Sequence, residues 1–400
     1  MKNIIHVSYS NSGGAGRVAK EIAESQNNLN GYISNFLFFS KTNLRQKPFE
    51  NLNLTFKAGI DNYILKNRNW PSLFSYYRNI TNNKILNKLK MHDGIIHLHW
   101  INGLLTLKDV LSLVNFGKKI VWTIHDMEIF TGGCHNTINC SNFKQACQNC
   151  PAVKQIFWSK IELNKSAKNE ILESLNNVNF VFPTKWLLNN FQATNKFNFS
   201  NLHHIPNPIK NEFFESKTPT IQYNDNKITL GFVSNDLNDQ LKQFDLVLNA
   251  VQNVSLKTSK KIKLVAIGSK YKKSYRNLNF NLIQTGIISD SIKLITLFSS
   301  FDLLLSNSLS ESFGLTIAEA SAIGVPSLIL DGSGSSDFIV DGVNGFLFKN
   351  QSDFEEKLIK LIDDDSLRKE VGKNSKKNAF INFHPDIVLK KYENIYNNFN

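Results

Sequence analysis

The chain has 400 residues, more than one hydrophobic core usually organises, and 42% hydrophobic against 20% charged residues excludes global disorder. Its net charge is +13, of which residues 1–205 hold +12 and residues 206–400 only +1. An anionic partner (a membrane face, an acidic substrate or nucleic acid) is therefore to be sought from the first half. No apolar run approaches the roughly 18 residues of a transmembrane helix, and the start MKNIIHVSYSNSGG lacks the apolar core and cleavage site of a signal peptide. Both set the expectation of a cytoplasmic protein.

In chain order, NIIHVSY (3–9) reads as a strand and Gly14 to about Gln26 as an amphipathic helix. YISNFLFF (32–39), GIIHLHW (94–100), KIVWTIHD (119–126) and NVNFVFPT (177–184) read as buried strands, with helical patterns between most of them. The stretch 205–227, polar and proline-bearing, loses both periodicities and reads as a linker. Beyond it ITLGFVS (228–234), IKLVAIG (262–268), DLLLSNS (302–308) and PSLILDG (326–332) are strands, with helices near 241–254, 291–301 and 314–324. Helices follow from about Asp353, with the acidic triplet 363–365 expected as a solvated cap between them. Two runs of short apolar strands alternating with helices predict two doubly wound parallel α/β domains. The expected divisions are 1–205, with a cysteine-rich loop at 131–151, then 206–380, then a C-terminal helix over 381–400 packing back on the first domain. Ligands of such sheets bind at the carboxyl ends of strands, and two facing domains would leave a cleft for chemistry.

The stretch Glu311-Ser-Phe-Gly-Leu-Thr-Ile-Ala-Glu319 places two carboxylates eight residues apart around a helix start at Phe313, Gly314 and Leu315. A helix N-terminus offers unpaired N–H groups to a phosphate, and a glycine there permits close approach. Glu319, one to two turns in, would accept from paired hydroxyls such as a ribose carries; otherwise it is an ordinary solvated helix residue. Glu311 in the preceding loop would reach hydroxyls beyond the phosphates. Phosphate in the middle with hydroxyls at both ends describes a nucleotide-sugar.

ESFGLTIAE, set in SNSLSESFGLTIAEASAIGVPSLILD and followed by DFIVDGVNGFLF, resembles the E-x7-E segment of retaining glycosyltransferase family 4, which has the GT-B fold. SNSGGAGRVA (10–19) resembles that family's glycine-rich first loop, and the later HD and IPNP fit its order. The resemblance implies that Glu319 binds ribose, Glu311 the transferred sugar, and the backbone of Phe313, Gly314 and Leu315 the diphosphate and sugar. It implies that Gly13 and Gly14, with Arg17 behind them, close over the diphosphate; a plain tight turn is the alternative. GAGRVA also fits a dinucleotide fingerprint loosely, but no acidic residue lies between Glu24 and Glu50 to hold a ribose. His125 would lie against the donor sugar, with Asp126 orienting it, whereas a lone strand-end histidine is more often structural. His97, His99 and Trp100 in HLHWING fit acceptor contact or packing equally. Lys242 fits the family's diphosphate lysine, but Ser234 or Asn235 stands at the arginine position and Gln243 where a glycine usually follows. No D-x-D follows a first-domain strand, so helix N–H groups and Lys242, rather than a metal, are expected to meet the leaving charge.

All four cysteines, Cys134, Cys140, Cys147 and Cys150, fall in TGGCHNTINCSNFKQACQNCP. C-x2-C is chelate spacing, so a structural zinc is the favoured expectation, with His135 as alternative ligand; disulfide or redox roles and packed free thiols are the others. The leading expectation is transfer of a sugar from a nucleotide-sugar to a glycan or lipid-linked acceptor in surface polysaccharide assembly. No catalytic cofactor is expected, and the basic half would rest on anionic lipid at the inner membrane face. A nucleic-acid-binding protein is the alternative from another class, but the basic residues are scattered and ESFGLTIAE stays unexplained. A non-catalytic sugar-binding relative would have lost Glu311, Glu319 or His125.

Overall fold

The computed structural model describes residues 1–38, 65–67, 69–76, 81–194, 200–216, 226–273, 275 and 277–399. Of the expected linker, residues 217–225 lie outside the described residues. The chain divides into two compact units, 1–208 with 388–400, and 209–387.

The first unit runs β1 (Lys2–Ser8), α1 (Gly13–Asn27), β2 (Tyr32–Phe38), α2 (Asn83–Lys90), β3 (Ile95–Leu98), α3 (Leu107–Asn115) and β4 (Lys119–Thr123). It continues through α4 (Trp158–Glu173), β5 (Asn179–Phe182), α5 (Lys185–Thr194) and β6 (Leu202–His204). The six strands form one parallel sheet in the order β2-β1-β3-β4-β5-β6. In α1 the buried residues Val18, Ala19, Ile22, Ala23 and Gln26 recur at helical period and form one face. Gln26 is a polar group on that buried face, and it needs a partner.

The second unit runs α6 (Asn211–Glu215), β7 (Lys227–Asp236), α7 (Phe244–Ser255), β8 (Lys261–Ser269), β9 (Asn281–Gly286), α8 (Ser291–Phe298) and β10 (Leu303–Ser306). Then come α9 (Leu315–Ile323), β11 (Ser327–Leu330), β12 (Phe346–Phe348), α10 (Gln351–Asp363) and α11 (Asp365–Phe383). Its parallel sheet has the order β12-β11-β10-β7-β8-β9. Strand side chains alternate between two apolar layers: Leu264, Ala266, Leu303, Leu305 and Leu328 enter one, and Val265, Ile267, Leu304 and Ile329 the other. That is the period of two of strands covered on both faces. Asp364 caps α11 by accepting from the Leu367 N–H at 2.9 Å, while Asp365 pairs with Lys260 at 2.6 Å and with Arg368. Only the first of these behaves as a plain cap.

The last helix, α12 (Pro385–Asn397), follows the Pro385 break, and from Val388 on its residues belong to the first unit. There Val388, Leu389, Tyr392, Ile395 and Tyr396 are buried. Among the described residues no helix is long and apolar enough to cross a membrane.

In each sheet the chain starts at an inner strand, builds to one side, then returns to the other side of its first strand. The switch falls between β1 and β3 in the first unit and between β7 and β10 in the second. Doubly wound sheets bind ligands at the carboxyl ends of strands flanking such a point.

Candidate functional site

In the second unit the loop after β10 carries Ser308 to Gly314 into α9. Gly314 has φ +86°, and a Cβ on it would stand 2.8 Å from the Cβ of Ser335. Left-handed backbone and close approach together demand glycine here. The far side of the loop is held as tightly: the Gly334 N–H donates to the Glu311 carbonyl at 2.7 Å, and a Cβ on Gly334 would meet the Ser312 carbonyl oxygen at 2.2 Å. Phe313 is buried, with its ring 5.6 Å from Phe338 and 5.5 Å from Phe383. The loop is thus fixed on three sides before any ligand arrives.

The N-cap of α9 is Gly314 itself, which brings no side-chain acceptor. Ile317 and Ala318 N–H both bond back to the Gly314 carbonyl at 3.1 Å, so the N–H groups of Leu315 and Thr316 precede the helical ladder. Glu319 is only 6% exposed, which excludes the ordinary solvated helix residue. Glu311 forms an ion pair with Lys242, and the Lys242 ammonium also stands 3.5 Å from the Ser308 hydroxyl. Their side chains remain 20% and 25% exposed, so the pair is accessible from solvent. Lys242 precedes α7, whose N-cap Gln243 has φ +50°. The chain keeps the left-handed geometry at the position where the family resemblance expects glycine, and pays the Cβ strain. Ser234, at the arginine position, is buried and spends its hydroxyl on the Asp236 carbonyl at 2.8 Å, while Asn235 is exposed.

In the first unit Gly13 opens α1 with φ +72°, in the turn that follows β1; Gly14 and Arg17 are exposed. Gly16 is the closely packed glycine of this turn, since a Cβ on it would meet the Ser10 carbonyl oxygen at 2.2 Å. His125 and Asp126 follow β4. Asp126 accepts from Trp100 Nε1 at 2.9 Å, the Glu128 N–H at 2.9 Å and His135 Nδ1 at 2.6 Å. Burial alone would raise its carboxyl pKa, but His135 and these donors hold it below the carboxylate range. Burial alone would lower His135, and Asp126 raises it instead. His135, the alternative metal ligand by sequence, is thus committed to Asp126, and its Nε2 lies 2.8 Å from Ser75 Oγ. Buried Lys165 and Lys168 of α4 anchor the segment after His125 by donating to the carbonyls of Phe130 at 2.8 Å and Glu128 at 2.7 Å.

Behind His125 the sheet buries His97 and His99, which by sequence fit acceptor contact or packing equally, among polar partners that the sequence did not mark. His6 pairs in register with His97, and His97, His99, Thr123 and His125 follow at alternate positions of adjoining strands and their ends, so all share one face. Rings of successive histidines stack with centroids 4.3 Å apart (His97–His99) and 5.4 Å apart (His6–His99 and His99–His125). Gln26 of α1 and Tyr392 and Tyr396 of α12 close the stripe. His97 Nδ1 lies 2.8 Å from the Tyr396 hydroxyl, and His97 Nε2 lies 2.8 Å from Thr123 Oγ1. Burial pushes His6 and His125 down to about 4, and His97 and His99 well below the usual histidine value, so the stripe is neutral near pH 7. Ligand atoms of His6, His97 and His99 lie within 4.8 Å of one another, but each ring nitrogen is already in a hydrogen bond. Histidines within two neighbouring apolar strands were the sequence signal for this stripe. Gln26 and the tyrosines gave none.

The four cysteines are free thiols and neighbours of one another. Tetrahedral zinc holds sulfurs about 3.8 Å apart, given bonds near 2.3 Å. Among the described residues no three of the four sulfurs lie within 4.8 Å of one another. Cys134 hydrogen-bonds Cys150, which raises the first thiol and lowers the second, and Cys147 accepts from the Gly132 N–H at 3.2 Å while burial pushes its thiol up to about 11. Zinc would need these sulfurs to draw closer than they stand here. Metal analysis of the purified protein decides whether they do, with stoichiometric zinc showing a site and its absence sinking the expectation.

Residues 214–378, the stretch with the Lys242–Glu311 pair and the α9 start, match the family model described as glycosyl transferases group 1. The chain is 25% identical over 255 residues to the capsular polysaccharide biosynthesis glycosyltransferase CapM of Staphylococcus aureus, spanning 60% of this chain and 61% of that one. It is 24% identical over 296 residues to the putative colanic acid biosynthesis glycosyl transferase WcaC of Escherichia coli K12, spanning 68% and 67%. Among solved structures it is similar to Anabaena HepE in complex with UDP and glucose, with TM-score 0.65, 14% identity and full coverage of both chains. That likeness shows the fold: two six-stranded parallel α/β units of GT-B type.

Proposed function

We propose that the protein is a retaining glycosyltransferase of family 4 type that moves a sugar from a nucleotide-sugar to a glycan or lipid-linked acceptor in surface polysaccharide assembly. The observation that carries the reading is the partly exposed Lys242–Glu311 pair at the entry to α9, inside the matched domain. Buried Glu319 on the same helix supports it. The polysaccharide roles in the names of CapM and WcaC support the acceptor class, and the UDP and glucose held by HepE support the donor class.

In this reading Glu319 takes the ribose hydroxyls and Glu311 the transferred sugar. Lys242 and the N–H groups at Phe313, Gly314 and Leu315 meet the diphosphate, whose charge grows as the sugar–phosphate bond breaks. The acceptor oxygen bonds to the anomeric carbon on the face the diphosphate leaves, and the departing phosphate oxygen takes the acceptor's proton. No side-chain nucleophile and no metal step is invoked. Gly13, Gly14, Arg17 and His125 act on the donor from the first unit's sequence. The +12 charge of residues 1–205 suits an acceptor on an anionic, inner-face membrane surface.

A screen for slow hydrolysis across common nucleotide-sugars tests the reading without knowledge of the acceptor. One donor is expected to be consumed, and Glu311→Ala is expected to lower that rate at least about 100-fold with an unchanged circular dichroism spectrum. Near-normal turnover by the variant would remove Glu311 from the site.

A further inference from the structure

The buried stripe of the first unit has a direction, and Gln26 sets it. The Gln26 carbonyl oxygen accepts from the Ser34 hydroxyl and lies 2.8 Å from His6 Nε2, while its amide nitrogen donates to the Tyr396 hydroxyl at 3.2 Å. A carbonyl oxygen only accepts, so His6 carries its proton on Nε2. A neutral imidazole has one N–H, and burial keeps His6 neutral, so its Nδ1 is a bare acceptor. His99 Nε2, 3.0 Å away, must then donate to it. His99 is neutral for the same reason and presents a bare Nδ1 in turn. His125 Nε2, at 3.1 Å, donates to that atom. The described residues make no hydrogen bond to His125 Nδ1.

We infer that Gln26, His6 and His99 are positioning residues that fix His125 as its Nε2–H tautomer, so that Nδ1 is the atom presented to a hydroxyl of the bound sugar. Only the last step, the sugar hydroxyl, rests on the transferase reading; the proton order rests on the hydrogen bonds. The second branch agrees with the first. Having accepted from Gln26, Tyr396 gives its own proton to His97 Nδ1, and His97 Nε2 donates to Thr123 Oγ1. Thr123 then donates to the Tyr392 hydroxyl at 3.0 Å. One amide therefore orders both branches. Turning that amide over would set its nitrogen against His6 and the Ser34 hydroxyl and reverse the proton order along the three rings. A free histidine interconverts its tautomers and would present a donor part of the time; a ladder tied to a carbonyl presents an acceptor throughout.

Long-range proton–nitrogen NMR on the full chain labelled with 15N-histidine reads each tautomer directly, with signals assigned through single histidine variants. The expected result near pH 7 is Nε2–H on His6, His99 and His125. An Nδ1–H or doubly protonated His125 would overturn the inference. Gln26→Leu is expected to mix the tautomers of His125 and to lower kcat for donor hydrolysis about tenfold with KM little changed. Gln26→Glu, still an acceptor for His6, is expected to restore both readouts. A wild-type tautomer pattern in Gln26→Leu would also overturn the inference, and if that variant fails to fold the wild-type spectrum decides alone. If no nucleotide-sugar is hydrolysed, the transferase reading falls while the NMR result still stands or fails by itself.

Discussion

The two units put their candidate chemistry at the same place in the same kind of sheet, beside the switch point at the carboxyl ends of strands, yet with opposite electrostatics. In the second unit the groups are a partly exposed ion pair and the dipole of a helix start, ready to meet charge. In the first they are neutral rings and hydroxyls sealed under two helices, ready only to orient one another. A charged pair works near solvent because water offsets the cost of its charge; rings removed from water need both nitrogens paired, as those of His6, His97 and His99 are. Local sequence is enough to build the former. The latter needs partners drawn from both ends of the chain.

The sharpest way to break this contrast is acid. His6 has an ordinary pKa of 6.5 when unfolded and about 4 in the fold, so its contribution is present above 6.5 and lost as pH falls toward 4. That shift alone amounts to about 3 kcal/mol, and His97 and His99 act in the same direction. Urea unfolding at pH 7.5, 6 and 5 is expected to show a steep loss of stability, shallower in a His6→Asn variant; a flat profile would mean that the stripe is not neutral.

A smaller effect is expected in the other unit. Lys242→Met removes the cation beside Glu311 and is expected to lower kcat/KM for donor hydrolysis roughly 10- to 100-fold. The midpoint of unfolding should barely move, because the pair is partly exposed and such pairs add little to stability. A large stability loss with normal kinetics would make the pair structural. Smallest is Gln243→Gly, which relieves a side chain held at φ +50°. It is expected to stabilise by about 0.5–1 kcal/mol after the entropy of glycine is set against the relieved strain; a destabilised variant would show that the Gln243 side chain makes a contact worth more than the strain.

Legibility followed the same division. The central strands read clearly because they are short, apolar and buried on both faces. The strands passed over, β6, β9 and β12, are all sheet edges, where a strand needs less apolar sequence: LHH and NLIQTG carry no marked pattern. Glu311, Gly314 and Glu319 were legible as a group because their relation along the chain is a helix start with one obligatory glycine. The placement of Glu319 was not, since a single carboxylate in an alanine-rich helix fits solvent as well as core, and only packing around α9 decided it. His125 and Asp126 were visible at a strand end. That Asp126 takes His135 came from the fold of the intervening loop.

By itself, then, the sequence determined two parallel sheets, the helix start that follows β10 and the carboxylates flanking it, because strand alternation, helical period and glycine geometry act over a few residues. The fold alone decided which polar groups meet across hundreds of residues: Gln26 and Tyr396 are separated by 370 positions and share a hydrogen bond. Burial makes such a meeting obligatory, since a polar atom removed from water must find its partner wherever the chain brings one.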